Sequence, residues 1–128
     1  MTIEYSTDSI LKVDKVSRKE LTNLIGATES LNVEWKPSLS QINEIIENVS
    51  AFSNTEGGKI IIGVSEEGKL LGVDIGEDTI ERLTNQISQN TDPKIHPRIT
   101  VKKMDKKSII VIEVNPVRDK QVLCFIRM

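Results

Sequence analysis

The stretch AFSNTEGGKIIIGVS, residues 51–65, restricts the fold of this chain more than any other. Its three consecutive isoleucines, Ile60, Ile61 and Ile62, lack the alternation of a half-exposed strand. A strand over 59–65 is therefore expected to be covered on both faces and to lie inside its sheet. The paired glycines Gly57 and Gly58 just ahead of it allow a tight reversal that a Cβ would resist. Upstream of that reversal, Ile42, Ile45, Ile46, Val49 and Phe52 recur at three- and four-residue steps, the period of one helix face, with Ser38 or Ser40 placed to cap the start. NVEW before them reads as a strand that Pro37 ends.

The remaining segments extend this pattern. Ser17 and Glu20 have the spacing of a capping box, which predicts a short helix over 18–25 stopped by Gly26. After the isoleucine strand, Glu66, Glu67 and Gly68 turn into KLLGV, predicting a hairpin. A helix over 79–90 is entered through Glu77 and Asp78, carries Ile80, Leu83 and Ile87 on one face, and ends before Pro93. RITVKKM and SIIVIEV read as a second hairpin around 105–107, and QVLCFIR as a closing strand. Residues 1–16 show no clear pattern and are read as an N-terminal segment ahead of a single domain over 17–128. The order of elements predicts an α+β fold, a mixed β-sheet with two or three packed helices.

A chain of 128 residues can bury a core without disulfides or structural metal, and Cys124 is its only cysteine. The N-terminus has no apolar leader core and no run is long enough to span a membrane, so a cytoplasmic protein is expected. The net charge of −2 hides a strong segregation. Residues 1–92 hold sixteen acids against eight Lys or Arg, whereas residues 93–128 hold nine Lys or Arg against three acids. The last third is a basic region.

Three groups of residues could carry chemistry. Glu29, Glu34 and Glu66 supply carboxylate oxygens suited to a hard divalent cation. In an extended chain the first two would stand about 16 Å apart, and in a helix about 140° apart, so a bend between them is required for them to share an ion. Asn54 to Gly58 joins a helix end to a strand, where backbone amides could face a phosphate or simply form a tight turn. No GxxxxGK[ST] string occurs, and nothing points to ATP. The third group is basic: Lys36, Lys94, Arg98, Lys102, Lys103, Lys106, Lys107, Arg118, Lys120 and Arg127, residues that attract phosphates but also blunt the edges of sheets. His96 has no second histidine to share a metal, and Trp35 is expected to pack against the helix that follows it.

Taken in order, ESLNVEWKPS, NVSAFSNTEGGKIIIGVSEEGKLLGV and VLCFIR resemble the Schlafen AlbA-like domain, and the resemblance covers about three quarters of the chain. It implies a nucleic-acid-binding domain, for RNA or DNA. In the Schlafen endoribonucleases it further implies a divalent-metal active site, with Mg or Mn, at positions corresponding to Glu29, Glu34 and Glu66. The third position departs from the family pattern, since Ser65 and Glu66 stand where an aspartate usually follows GV, and a longer carboxylate would move or abolish the metal site. Schlafens place two related lobes around their substrate, so a single-lobe chain would supply the second by homodimerisation. Three functions follow as expectations. The first is nucleic-acid binding through the basic C-terminal third, the second a metal-dependent endoribonuclease, and the third a regulatory protein-interaction module without nucleic-acid contact.

Overall fold

The computed structural model describes residues 3–4, 12–15, 19, 23, 32–104, 106–117 and 121–124. Ile60, Ile61 and Ile62 are fully buried on strand β4 (Gly58–Ile62), which lies between two neighbours as their uninterrupted apolar run requires. The remaining elements, in chain order, are β1 (Ile3–Glu4), β2 (Lys12–Lys15), β3 (Val33–Lys36), helix α1 (Ile42–Ser53), then α2 (Thr79–Gln89), β5 (Thr91–Asp92), β6 (Arg98–Met104), β7 (Lys107–Val114) and β8 (Leu123–Cys124). The main sheet runs β1-β2-β6-β7-β4-β3. It is mixed: β3 is parallel to β4 and β2 to β6, while β4, β6 and β1 each have an antiparallel partner. This is the expected α+β architecture.

Pairing in register assigns side chains to the two faces. Ile60 and Ile62 stand opposite Ile112 and Ile110, and Ile110 opposite Val101. These residues pack with Ile45, Ile46, Val49 and Phe52 of α1 and Leu83 and Ile87 of α2. On the other face Ile61, Ile109 and Val111 pack with Trp35 and Val64. Each such apolar side chain contributes about 1.5–3 kcal/mol by leaving water. Trp35 therefore corrects one expectation. It stands in register with Ile61, whose face is turned away from α1, so the indole packs beneath the turn at Gly68 and not against the following helix.

Local chemistry accounts for the boundaries of α1. Ser38 caps a short 3-10 turn (Leu39–Gln41) through its hydroxyl, which accepts from the Ser40 N–H at 3.2 Å, and this turn leads into the helix. At the far end the Asn54 N–H donates to Ser50 and Ala51 carbonyls, and Gly57 adopts φ +82°. A Cβ on Gly57 would stand 2.6 Å from the Val114 carbonyl oxygen, and one on Gly58 2.8 Å from that of Asn32. The glycine pair is thus needed for backbone approach as well as for the turn.

Several sequence-based expectations meet the structure differently. The hairpin after β4 is reduced to a single bridge, Val64 to Leu70, because Leu71 and Gly72 both donate to the Gly63 carbonyl and the chain then leaves to join Ser108 through Val73. Among the described residues the closing strand is Leu123–Cys124, which pairs with β5 in a sheet separate from the main one; residues 125–127 of the expected strand lie outside the described residues. Residues 3–4 and 12–15, for which no element was expected, extend the main sheet beyond β6. Of the helix expected over 18–25, only Lys19 and Asn23 are among the described residues, both helical and exposed. No helix among the described residues is long and apolar enough to cross a membrane.

Candidate functional site

Strand β3 carries two of the candidate residues and fixes their side of the sheet. Glu34 is in register with Ile60 and Lys36 with Ile62, so both belong to the helix-covered face, at the sheet edge. There the Lys36 ammonium meets the Glu44 carboxylate of α1 at 3.3 Å. Lys36 is thus committed to an ion pair on β3, separated from β6 by β4 and β7, and stands apart from the basic C-terminal third.

Glu66 occupies the turn beyond the end of β4, which is closed by the Ser65 N–H donating to the Lys69 carbonyl and the Gly68 N–H donating back to Ser65. The Ser65 hydroxyl accepts the Lys69 N–H at 3.0 Å, so the serine ahead of Glu66 shapes the turn. Gly68 lies over the Trp35 ring, on the face opposite to Glu34. Glu66 is exposed and Glu34 half-buried. Glu29 lies outside the described residues. Among the described residues no three His, Cys, Asp or Glu side chains gather in a group that could hold a metal ion. Of the trio, the described residues are thus Glu34, on the helix-covered face of β3, and Glu66, in the exposed turn beyond β4.

Of the basic set, four described lysines gather at one end of the β6–β7 hairpin. Arg98 is in register with Glu113, which is in turn in register with Lys59, so cation, anion and cation alternate across β6, β7 and β4. That row holds two cations and one anion. Farther along the same hairpin, Lys102 and Lys103 approach the tip from the two faces of β6, and Lys106 and Lys107 are exposed at the tip itself. The Lys107 ammonium donates to the Leu70 carbonyl at 3.1 Å, tying the tip to the loop after β4. Lys94 is exposed before β6, while Arg118, Lys120 and Arg127 lie outside the described residues. His96 is exposed.

The Asn54 to Gly58 turn has its own internal partners. The Thr55 and Gly57 N–H groups donate to the Phe52 carbonyl and the Lys59 N–H to Asn32. The Asn54 amide grips Val122, its Oδ1 accepting the Val122 N–H at 2.7 Å and its Nδ2 donating to the Val122 carbonyl at 3.0 Å. The buried Ser50 hydroxyl donates to that same carbonyl at 3.0 Å. These contacts make the segment a clamp on the C-terminal strand.

Two hollows escaped the sequence reading. A cavity of about 300 Å³ opens between residues 71–74 and residues 106–108, directly under the lysine-rich tip. Its only sequence signal is the paired leucines of KLLGV, which read as a strand. A groove of about 400 Å³ lies between Leu39 and Ile42 at the start of α1 and Leu83, Arg82 and Gln86 of α2. No sequence pattern marks it, because it forms from two helices distant in the chain.

The architecture recurs in solved structures. The DIP2311 protein from Corynebacterium diphtheriae superposes with a TM-score of 0.61 at 16% identity, over 81% of this chain and 22% of that one. The chain thus spans about a fifth of that relative. The N-terminal domain of a putative ATP-dependent DNA helicase RecG-related protein from Nitrosomonas europaea gives a TM-score of 0.60 at 20% identity, over 77% of this chain and 71% of that one. At these identities the likeness is one of fold. The sequence itself goes further: the model of the Schlafen AlbA_2 family matches residues 29–127, from the first glutamate of the acidic trio through the last arginine. With the β3-α1-turn-β4 unit built as those motifs require, the chain belongs to the Schlafen AlbA_2 family.

Proposed function

We propose that this chain is a nucleic-acid-binding domain whose β6–β7 hairpin tip holds phosphates. The observation that carries this reading is the placement of Lys102, Lys103, Lys106 and Lys107 together at one sheet end, where Lys15 of β2 is in register with Lys103 and Asp14 with Lys102. A phosphate at the tip releases condensed counterions, and the gain per contact falls as salt rises. Family membership and the helicase-related neighbour are consistent with it. The test is fluorescence anisotropy with labelled RNA and DNA over a several-fold range of salt. Affinity should fall linearly on logarithmic axes, and Lys106→Gln should flatten the slope by about 1. Affinity that does not change with salt, or no binding, refutes the reading.

The second reading, a divalent-metal-dependent endoribonuclease using Glu29, Glu34 and Glu66, is favoured by one observation: Glu34 is a half-buried carboxylate fixed on a paired strand. Structured RNA incubated with Mg²⁺ or Mn²⁺ should then be cleaved by the native chain and not by Glu34→Gln. Cleavage undiminished in that variant removes these residues from the reaction.

A further inference from the structure

We propose that the cavity between residues 71–74 and residues 106–108 takes one unstacked nucleotide of a single-stranded nucleic acid, phosphate towards Lys106 and Lys107 and base against Leu71. This assignment rests on the nucleic-acid reading above and narrows it to a strand type and a subsite. The cavity of about 300 Å³ is at the lower end of the range for small-ligand sites. Its walls differ in chemistry. Lys106 and Lys107 bring cations to the lining, Asp74 a carboxylate and Leu71 an apolar side chain.

Leu71 is the anchor of the argument. Single exposed leucines are common on protein surfaces and need no explanation. This one is 47% exposed although its backbone is fixed. The Leu71 and Gly72 N–H groups both donate to the Gly63 carbonyl, at 2.8 and 2.9 Å, and the Val73 N–H donates to Ser108 at 2.8 Å. Gly72 adopts φ +81° and packs so closely on Lys107 that a Cβ would lie 3.1 Å from the lysine Cβ. The Lys107 ammonium is held at the Leu70 carbonyl beside it. An apolar side chain is thus presented to solvent by an ordered loop, next to a cation held in place.

Duplex nucleic acid offers such a surface only phosphates and groove edges, because its base faces are stacked on each other. An unstacked base has a free face to lay on Leu71 while its phosphate reaches the lysines. Asp74 repels phosphate and so restricts it to the lysine side, and its oxygens can accept hydrogen bonds from base amino groups or sugar hydroxyls.

The experiment compares a short labelled single strand with its duplex, measured by anisotropy against the native chain, Leu71→Ser, Leu71→Trp and Lys106→Gln. Leu71→Ser should weaken single-strand binding about fivefold, slightly less than the loss of a base stacked on an aromatic side chain, and change duplex binding less than twofold. Leu71→Trp, which offers a larger stacking face at the same place, should tighten single-strand binding. Lys106→Gln should weaken both and reduce the salt slope. If Leu71→Ser and Leu71→Trp leave a salt-dependent single-strand affinity unchanged, the pocket assignment is wrong and the binding reading stands. Equal losses on single strand and duplex in Leu71→Ser also overturn it. If the native chain binds neither, both proposals fall together.

Discussion

Replacing Asn54 by alanine tests the claim that the end of α1 clamps the C-terminal segment. Val122 is 2% exposed, and its N–H has the Asn54 Oδ1 as acceptor while its carbonyl receives both Asn54 Nδ2 and Ser50 Oγ. Asn54→Ala leaves the buried N–H without an acceptor, at a cost of about 1–3 kcal/mol, but the carbonyl keeps the serine donor. Ser50→Ala removes only one of two donors to that carbonyl and should cost about 0.5–1 kcal/mol. In the double variant the carbonyl has lost both, so the combined loss should exceed the sum of the single losses by about 1 kcal/mol. Urea unfolding followed by circular dichroism reads this directly. With an m-value of about 1.5 kcal/mol/M, Asn54→Ala should lower the midpoint by about 0.7–2 M without changing m. Amide exchange at Val122 should accelerate in Asn54→Ala and much less in Ser50→Ala. Strict additivity, or a midpoint within about 0.2 M of the native one in Asn54→Ala, refutes the clamp.

Further outcomes follow from the same geometry. Gly57→Ala should destabilise by about 2 kcal/mol or more, from the left-handed backbone and the 2.6 Å approach to the Val114 oxygen, whereas Gly76→Ala, whose nearest neighbour is Thr79 Oγ1 at 3.6 Å, should be neutral or slightly stabilising in the same melt. Trp35 is the only tryptophan and 6% exposed, so native fluorescence should be blue-shifted and move red on unfolding, and Trp35→Ala should cost about 3–5 kcal/mol. The Lys36–Glu44 pair, with Glu44 57% exposed, should contribute less than about 1 kcal/mol in a double-mutant cycle and fade as salt is added.

The parts of the fold that periodicity controls were legible in advance. Ile60 to Ile62 required a covered strand, the spacing from Ile42 to Phe52 a helix, and the gap at 105–107 a hairpin, and all three are present. What escaped depends on contacts between distant segments. Trp35 took its face from registration with Ile61, which no local pattern states. KLLGV has strand composition, yet the Gly63 carbonyl captures two of its amides and turns it into the wall of a cavity. For the site, the lysines of the tip were visible as composition, and their grouping came from the hairpin. The acidic trio was singled out as carboxylates and by family resemblance, but spacing could not place Glu34 on the edge strand β3 and Glu66 in the turn beyond β4.

The alternating row of Lys59, Glu113 and Arg98 bears on fidelity of assembly. Strands β4 and β7 are rich in isoleucine and valine on both faces, so by hydrophobicity alone they could pair in several offsets. A slip of one residue would carry Lys59 to the level of Ile112 or Val114 and Glu113 to that of Ile60 or Gly58, placing a bare charge in the core beneath α1. The row therefore acts as an error check on strand alignment. Neutralising it would be felt as misaligned or aggregating sheet during folding, in molecules whose correctly folded fraction binds its ligand as before.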